Sequence, residues 1–532
     1  MYDIIIKNGM IVDGTGKTGF KGDLCVKDGL IAAIGKGGDK AAEIIDAEGL
    51  TVAPGFIDAH THSDKSGFIG SGSYNYLEQG VTLQVAGQCG SSPAPLGGRV
   101  KLIESLGLGP EITKQALEWS ETPESFMKRA SEVDHGTNLA LLIGHSALRN
   151  SAMGYADGKP SPEEMAHMKD MLKRAMESGY FGYSSGLSYA PSAYADTEEL
   201  TELARVIAPY GGVYASHVRS EGDKGVESLA EAIKTGEEAG VPVVISHLKT
   251  VGKSNEGNSI KYFELIEAAA ARGVKIYADQ YPFIASSAPL SSQIPVKYHV
   301  GGPQELLKRL ADKAVRKEIW DSIHNEADKF ESSFYSAGAE CILIVGVPKT
   351  PEHTGKTITQ LAQEQNKEPF DAFCDLLLEN NAMGGGIYFS QNESDMLRIL
   401  AHPLVVGGSD WSDLSERSDP ERIAGCHPRG LATFPRRLQL LREHNLLSLA
   451  EAVQSITSRA AEAYGIKGHG FLREGLAANI TIFDHKNIKA HADFIHPFRR
   501  NEGICWVIVN GKVAVKDGLA TGIRAGKIVK KV

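Results

Sequence analysis

The chain has few cysteines for its length. Its six (Cys25, Cys89, Cys341, Cys374, Cys426 and Cys505) are scattered over 532 residues without a C-x-x-C pair, which argues against a disulfide framework or a zinc-finger-like site. A reducing cytoplasm is the expected setting. Long apolar runs are also missing: no stretch approaches the roughly 18 apolar residues that would cross a bilayer. The opening MYDIIIKNGMIVDG lacks the basic segment and apolar core of a secretion signal. Positive charge is in deficit, with 56 Lys and Arg against 66 Asp and Glu, a net charge of -10. A phosphate backbone would meet a repulsive average field, and no basic block overcomes it. Neither nucleic acid nor a membrane is an expected partner.

Glycine, in contrast, is abundant at 58 positions, above the usual share of about 7%. With 42% hydrophobic and 23% charged residues, the composition describes a soluble, core-forming protein with many tight loops. The length allows about three domains, or one barrel-sized domain with attachments.

The hydrophobic period changes along the chain. Residues 1–54 contain short apolar runs between turn signals, and Asn8-Gly9 and Asp28-Gly29 both favour tight hairpin turns. Residues 467–532 repeat that style in LAANITIFD, CWVIVNGKVAVKDG and GIRAGKIVKKV. The two ends are expected to form one small β-sandwich. Between them the pattern is helix, glycine, buried strand. Ser161 and Glu164 make a capping box ahead of an amphipathic helix that stops at Gly179. Gly240 and Gly273 sit between a helix and an apolar strand in the same way. Repetition of that unit predicts a parallel α/β sheet. Residues 55–466 have room for eight units, so a TIM-type (β/α)8 barrel is preferred to an open doubly wound sheet. No G-x-G-x-x-G follows an expected strand. Residues 290–355 break the rhythm with a charged amphipathic helix, PQELLKRLADKAVRKEIWDSIHNEADKF. They form an inserted segment that either covers the barrel mouth or is an inert surface excursion.

In GFIDAHTH, Asp58, His60 and His62 alternate, so on a strand they share one face and two imidazoles can grip one metal. Cys89, His217 and His247 each follow an apolar strand, and active-site groups of (β/α)8 barrels gather at the carboxyl ends of strands. Asp410 ends another such strand, where a carboxylate can bind metal or act as a general base. Plainer readings exist: Cys89 as a small buried hydrophobe, Asp410 as a helix N-cap. His145 and Tyr189 fall near strand ends and could line the pocket, whereas His167 reads as a surface or packing residue.

Taken together, PGFIDAHTHSD, His217 and His247 about thirty residues apart, and Asp410 near the last strand resemble the amidohydrolase superfamily. VAGQCGSSPAP, GYSSGLSYAPSAYA, SHLK, DQYPF and HPRGLATFPRRL look like its D-aminoacylase (N-acyl-D-amino-acid deacylase) family, over nearly the whole chain. The resemblance implies that Cys89, His217 and His247 hold one tight Zn2+, with His60, His62 and Asp410 around a second, weaker position that Cys89 bridges. It also implies that Asp410 passes a proton between the attacking water and the departing amine, and that Lys249, Tyr281 and Arg429 bind the α-carboxylate of a small N-acyl-D-amino acid. Another amidohydrolase activity, such as a D-amino-acid dipeptidase or a cyclic amidase, would use the same machinery, and a non-catalytic scaffold is the reading from a different class. Trp411, where a small residue is expected, and a long segment from Trp411 to Cys426 depart from the family pattern.

Overall fold

The barrel is assembled from the repeat that the sequence announces. In the computed structural model, which describes all residues except 39, 98, 107, 327–329 and 415–425, the Ser161 hydroxyl accepts from the Glu164 N–H at 3.2 Å. The Glu164 carboxylate accepts from the Ser161 N–H at 2.7 Å, so each satisfies an orphan donor of the first turn. Helix Pro162–Ser178 then ends at Gly179, whose φ of 105° needs a residue without a Cβ. Gly240 ends helix Gly225–Ala239 the same way.

Eight parallel strands follow that grammar: β1 Phe56–Asp58, β2 Val81–Ala86, β3 Asn138–Leu141 with its continuation Ile143–Gly144, β4 Gly182–Gly186, β5 Val213–His217, β6 Val243–Ile245, β7 Ile276–Gln280 and β8 Val405–Gly407. They form a (β/α)8 barrel. Two arcs meet where β3 is interrupted at Leu142. The ring closes between β8 and β1, where the Ala59 N–H reaches the Gly407 carbonyl at 3.0 Å. Ile57, Leu83, Val85, Leu142, Val244 and Val406 fill the interior, and a second apolar layer lies between strands and helices. Burial on both faces explains why strands such as Val243–Ile245 and Val405–Gly407 read as short apolar runs.

Strands from both termini join in one nine-stranded sheet, sewn together where Thr51–Pro54 pairs antiparallel with Ile480–Phe483. Asp28-Gly29 is the expected hairpin turn. Asn8-Gly9 is not: it lies inside strand Tyr2–Ile11, where Asn8 at φ 61° makes a bulge. Its backbone N–H donates to Asp23 and its amide to Asp46, both at 3.0 Å, so the side chain satisfies locally what a turn would otherwise need. The last residues leave this sheet. The Val529 N–H bonds the Leu139 carbonyl and the Lys531 N–H the Gly179 carbonyl, each at 2.9 Å, which straps the tail to the barrel.

The inserted segment has its own apolar core and a three-stranded sheet of Ser286–Pro289, Ile342–Val345 and Gly385–Tyr388, so the excursion runs beyond residue 355. The single helix expected there is two, Pro303–Ala311 and Lys313–Asn325, because Asp312 turns extended and its carboxylate caps Ala314 at 2.8 Å. Among the described residues, no helix is long and apolar enough to cross a membrane.

Candidate metal centre

The carboxyl ends of five strands bring the expected donors together. Cys89, His217 and His247 offer ligand atoms that all lie within 4.8 Å of one another, and so do His60, His62, Cys89 and Asp410. Cys89 belongs to both groups. Its Sγ is 3.3 Å from His60 Nε2 and 3.4 Å from His247 Nε2. Burial alone would push this thiol up, but the His60 and His247 imidazoles hold it well below the usual range. Among the described residues His217 Nδ1 is buried without a hydrogen-bond partner, an orphan that metal ligation in this cluster would explain.

Backbone geometry aims these groups. Cys89, His247 and Asp410 have φ of 52°, 34° and 51°, left-handed conformations that cost non-glycine residues roughly 1–3 kcal/mol each. Gly87 makes the turn at Cys89 possible, since a Cβ there would sit 2.0 Å from the Leu142 carbonyl oxygen. The ends of β1 and β8 are zipped: the Asp410 N–H reaches the His60 carbonyl at 2.9 Å and the His62 N–H reaches the Trp411 carbonyl at 2.7 Å. Asp410 Oδ1 therefore lies 3.1 Å from His62 Nε2 and 3.5 Å from His60 Nε2. Asp58 shares the strand but stays outside the cluster, because its Oδ1 accepts from the His60 and Ser409 backbones at 3.1 and 2.9 Å.

A second layer of carboxylates orients the imidazoles. Asp279 accepts from the His247 N–H at 2.8 Å and lies 3.1 Å from His60 Nδ1. Glu221 lies 2.9 Å from His247 Nδ1 and 2.5 Å from Lys249 Nζ. Burial opposes its charge, yet Lys249 and His247 hold the Glu221 carboxyl well below the usual range. Neither residue stands out in the sequence. Asp279 is legible only as the residue two before Tyr281 in DQYPF, and Glu221 only as an acid four residues past His217. Carboxylate partners of this kind fix the tautomer and angle of a ligating imidazole. Glu221→Gln is expected to weaken metal affinity about 10- to 100-fold, read by competition with a chromogenic chelator.

Tyr281 joins the two cations. The Arg429 guanidinium lies 4.7 Å and Lys249 Nζ 5.7 Å from its ring centre. Arg429 Nη1 is 2.8 Å from Asp410 Oδ2, and Nη2 donates to the Ser287 carbonyl at 3.1 Å. Burial would raise the Asp410 carboxyl; Arg429, with His247 and His62, holds it well below the usual range. Trp411 fits because Gly430 lies beneath it, where a Cβ would meet the indole at 2.1 Å. The segment that follows Trp411 falls partly on residues 415–425, outside the described residues. Tyr189 borders the centre, its ring 4.9 Å from that of His217. His145 does not: it is fully buried between Ser192 and Glu199, at 2.6 and 2.9 Å. His167 lies on the capped helix, 3.4 Å from the Ser151 hydroxyl.

Comparison with known proteins decides the family. The amidohydrolase family model matches residues 43–324 and 383–515. A D-aminoacylase of Alcaligenes xylosoxydans xylosoxydans is 33% identical over 532 residues, covering 100% of this chain and 98% of that protein. The chain belongs to the D-aminoacylase branch of the amidohydrolases. A family member of known structure, the N-acyl-D-glutamate deacylase of Bordetella bronchiseptica with zinc and a phosphonate mimic of the tetrahedral intermediate, is 30% identical with a TM-score of 0.81 and covers 99% of both chains. A D-aminoacylase structure concerned with one-metal activation and second-metal attenuation of a binuclear centre is 31% identical, TM-score 0.81, over 100% of both chains.

Proposed function

We propose that the chain hydrolyses N-acyl-D-amino acids at the amide bond, giving a carboxylate and a free D-amino acid. The observation that carries this reading is Arg429. Its guanidinium is buried beside Asp410, with Nη1 2.8 Å from Oδ2, and among the described residues its Nε–H has no hydrogen-bond partner. A buried donor left unpaired is costly unless a ligand completes it. The α-carboxylate of an open N-acyl amino acid supplies an anionic oxygen for that donor, and an uncharged cyclic amide supplies no anion. Lys249 directs its donors to Glu221 and to the His247 carbonyl, so it contributes mainly positive potential behind Tyr281.

One thiolate and two imidazoles suit zinc and leave one tetrahedral position open, so Cys89, His217 and His247 would hold the tight ion, and His60, His62 and Asp410 would frame the weaker position beside it. Zinc supplies Lewis-acid polarisation of the carbonyl and brings the pKa of water to about 7. Asp410 takes the proton of the attacking water and returns it to the departing amine. The His62 imidazole and the Arg429 guanidinium hold its carboxylate in place for both steps. All six cysteines are free, which fits a cytoplasmic setting. Incubation with N-acetyl-D-methionine, N-acetyl-D-glutamate and their L forms should release amino acid from D forms; cleavage confined to the L forms would defeat the stereochemical assignment.

A further inference from the structure

The mouth of the barrel has unlike walls on the two sides of Asp410. Facing Oδ2 are Arg429, Tyr281 and the Ser287 carbonyl. Facing Oδ1 is His62. Past His62 opens a cavity of about 260 Å3, walled by Ile69, Ile103, Leu106 and Pro93, with Ser91 on its rim.

We propose that this cavity receives the acyl tail of the substrate and takes linear aliphatic chains longer than acetyl. The inference rests on the N-acyl-D-amino-acid reading above. An amide carbonyl carbon is trigonal, so its acyl tail and its nitrogen diverge. With the α-carboxylate on Arg429 and the carbonyl before Asp410, the tail leaves on the side away from Arg429, past His62. At roughly 30 Å3 for each water-sized unit, the space holds about eight such units, far more than a methyl group fills. The walls decide the chemical class. Four apolar side chains lie among serines there, with two carboxylates: Asp413 accepts from Ser71 and Ser73 at 2.8 Å and from Ser66 at 3.4 Å, while Asp64 Oδ1 is buried with no hydrogen-bond partner among the described residues. Burial pushes the Asp413 carboxyl up to about 6, the mark of surroundings that solvate charge poorly. Apolar surface on a flexible acyl chain gains free energy there.

The test is the ratio of kcat/KM for N-hexanoyl-D-methionine to that for N-acetyl-D-methionine, in the wild type and in two variants that fill the cavity from separate elements. Ser91→Trp fills it from an exposed rim position that leaves the core packing alone, and Ile69→Trp fills it from helix Ser66–Ile69. The wild-type ratio should be at or above unity, and each variant should lower it at least about tenfold. A ratio that neither variant moves, with N-acetyl-D-methionine still cleaved by the wild type, places the tail elsewhere and overturns the inference alone. Glycyl-D-methionine cleaved in preference to the hexanoyl substrate overturns the aliphatic class. A wild type that cleaves no N-acyl-D-amino acid removes the underlying reading and the inference with it.

Discussion

Asp410→Asn is expected to lower kcat by roughly 10²- to 10⁴-fold, the usual contribution of a positioned proton carrier, while the zinc content of the purified protein stays the same. The two readouts part because the carboxylate belongs to only one of the two donor groups: Cys89, His217 and His247 form the other without it. Asparagine has the same shape and tolerates the left-handed backbone at φ 51° better than most residues, so folding is a small part of the change. What asparagine lacks is basicity and charge. It cannot take a proton from water held near His62, and it no longer neutralises Arg429 at 2.8 Å. The unpaired guanidinium then attracts an anionic substrate more strongly, so KM should stay level or fall as kcat drops. Near-normal kcat in Asp410→Asn would remove the proton-transfer assignment.

The parts of this site that could be read from the sequence are those that depend on one strand at a time. A short apolar run followed by Cys89, His217, His247 or Asp410 gives the position of each side chain at a strand end, and the closed barrel does the rest by bringing those ends to one face. Asp279 and Glu221 escape that logic. Their importance lies in which nitrogen they meet, 3.1 Å from His60 Nδ1 and 2.9 Å from His247 Nδ1, and that depends on contacts between strands far apart in the chain. The inserted sheet is obscure for a related reason. SSAP at 286–289 and GGIY at 385–388 carry weak strand propensity and pair across about a hundred residues. At Asn8-Gly9 the dipeptide signal is correct about positive φ and wrong about its use, since flanking apolar residues continue the strand on both sides of the bulge. Trp411 departs from the expected small residue, and the site accommodates it through Gly430.

The second large effect belongs to Cys89. Cys89→Ser is expected to purify with most of its zinc missing and to lose the remainder on dialysis against a weak chelator, with turnover falling in proportion to the metal lost. The substitution keeps the Cβ, nearly the same volume and the same strained backbone at φ 52°, so the fold is preserved and the chemistry of one atom is changed. A thiolate is a soft anionic donor; a serine hydroxyl stays neutral at physiological pH and is a poor ligand for zinc. The arrangement around Sγ makes the loss severe. His60 and His247 both stand within 3.4 Å and hold the thiol well below its usual range, so the site favours the anionic donor, and protons released on metal binding come from the imidazoles. Without that anion, two imidazoles would face the ion with no negative partner between them, and the two donor groups would lose the atom they share. Thermal unfolding of the variant should match that of the chelator-treated wild type, which separates metal loss from misfolding. Cys89→Ser that keeps its full complement of zinc through dialysis would show that the thiolate is not a ligand, and His217 and His247 would then have to hold the ion with a different third group.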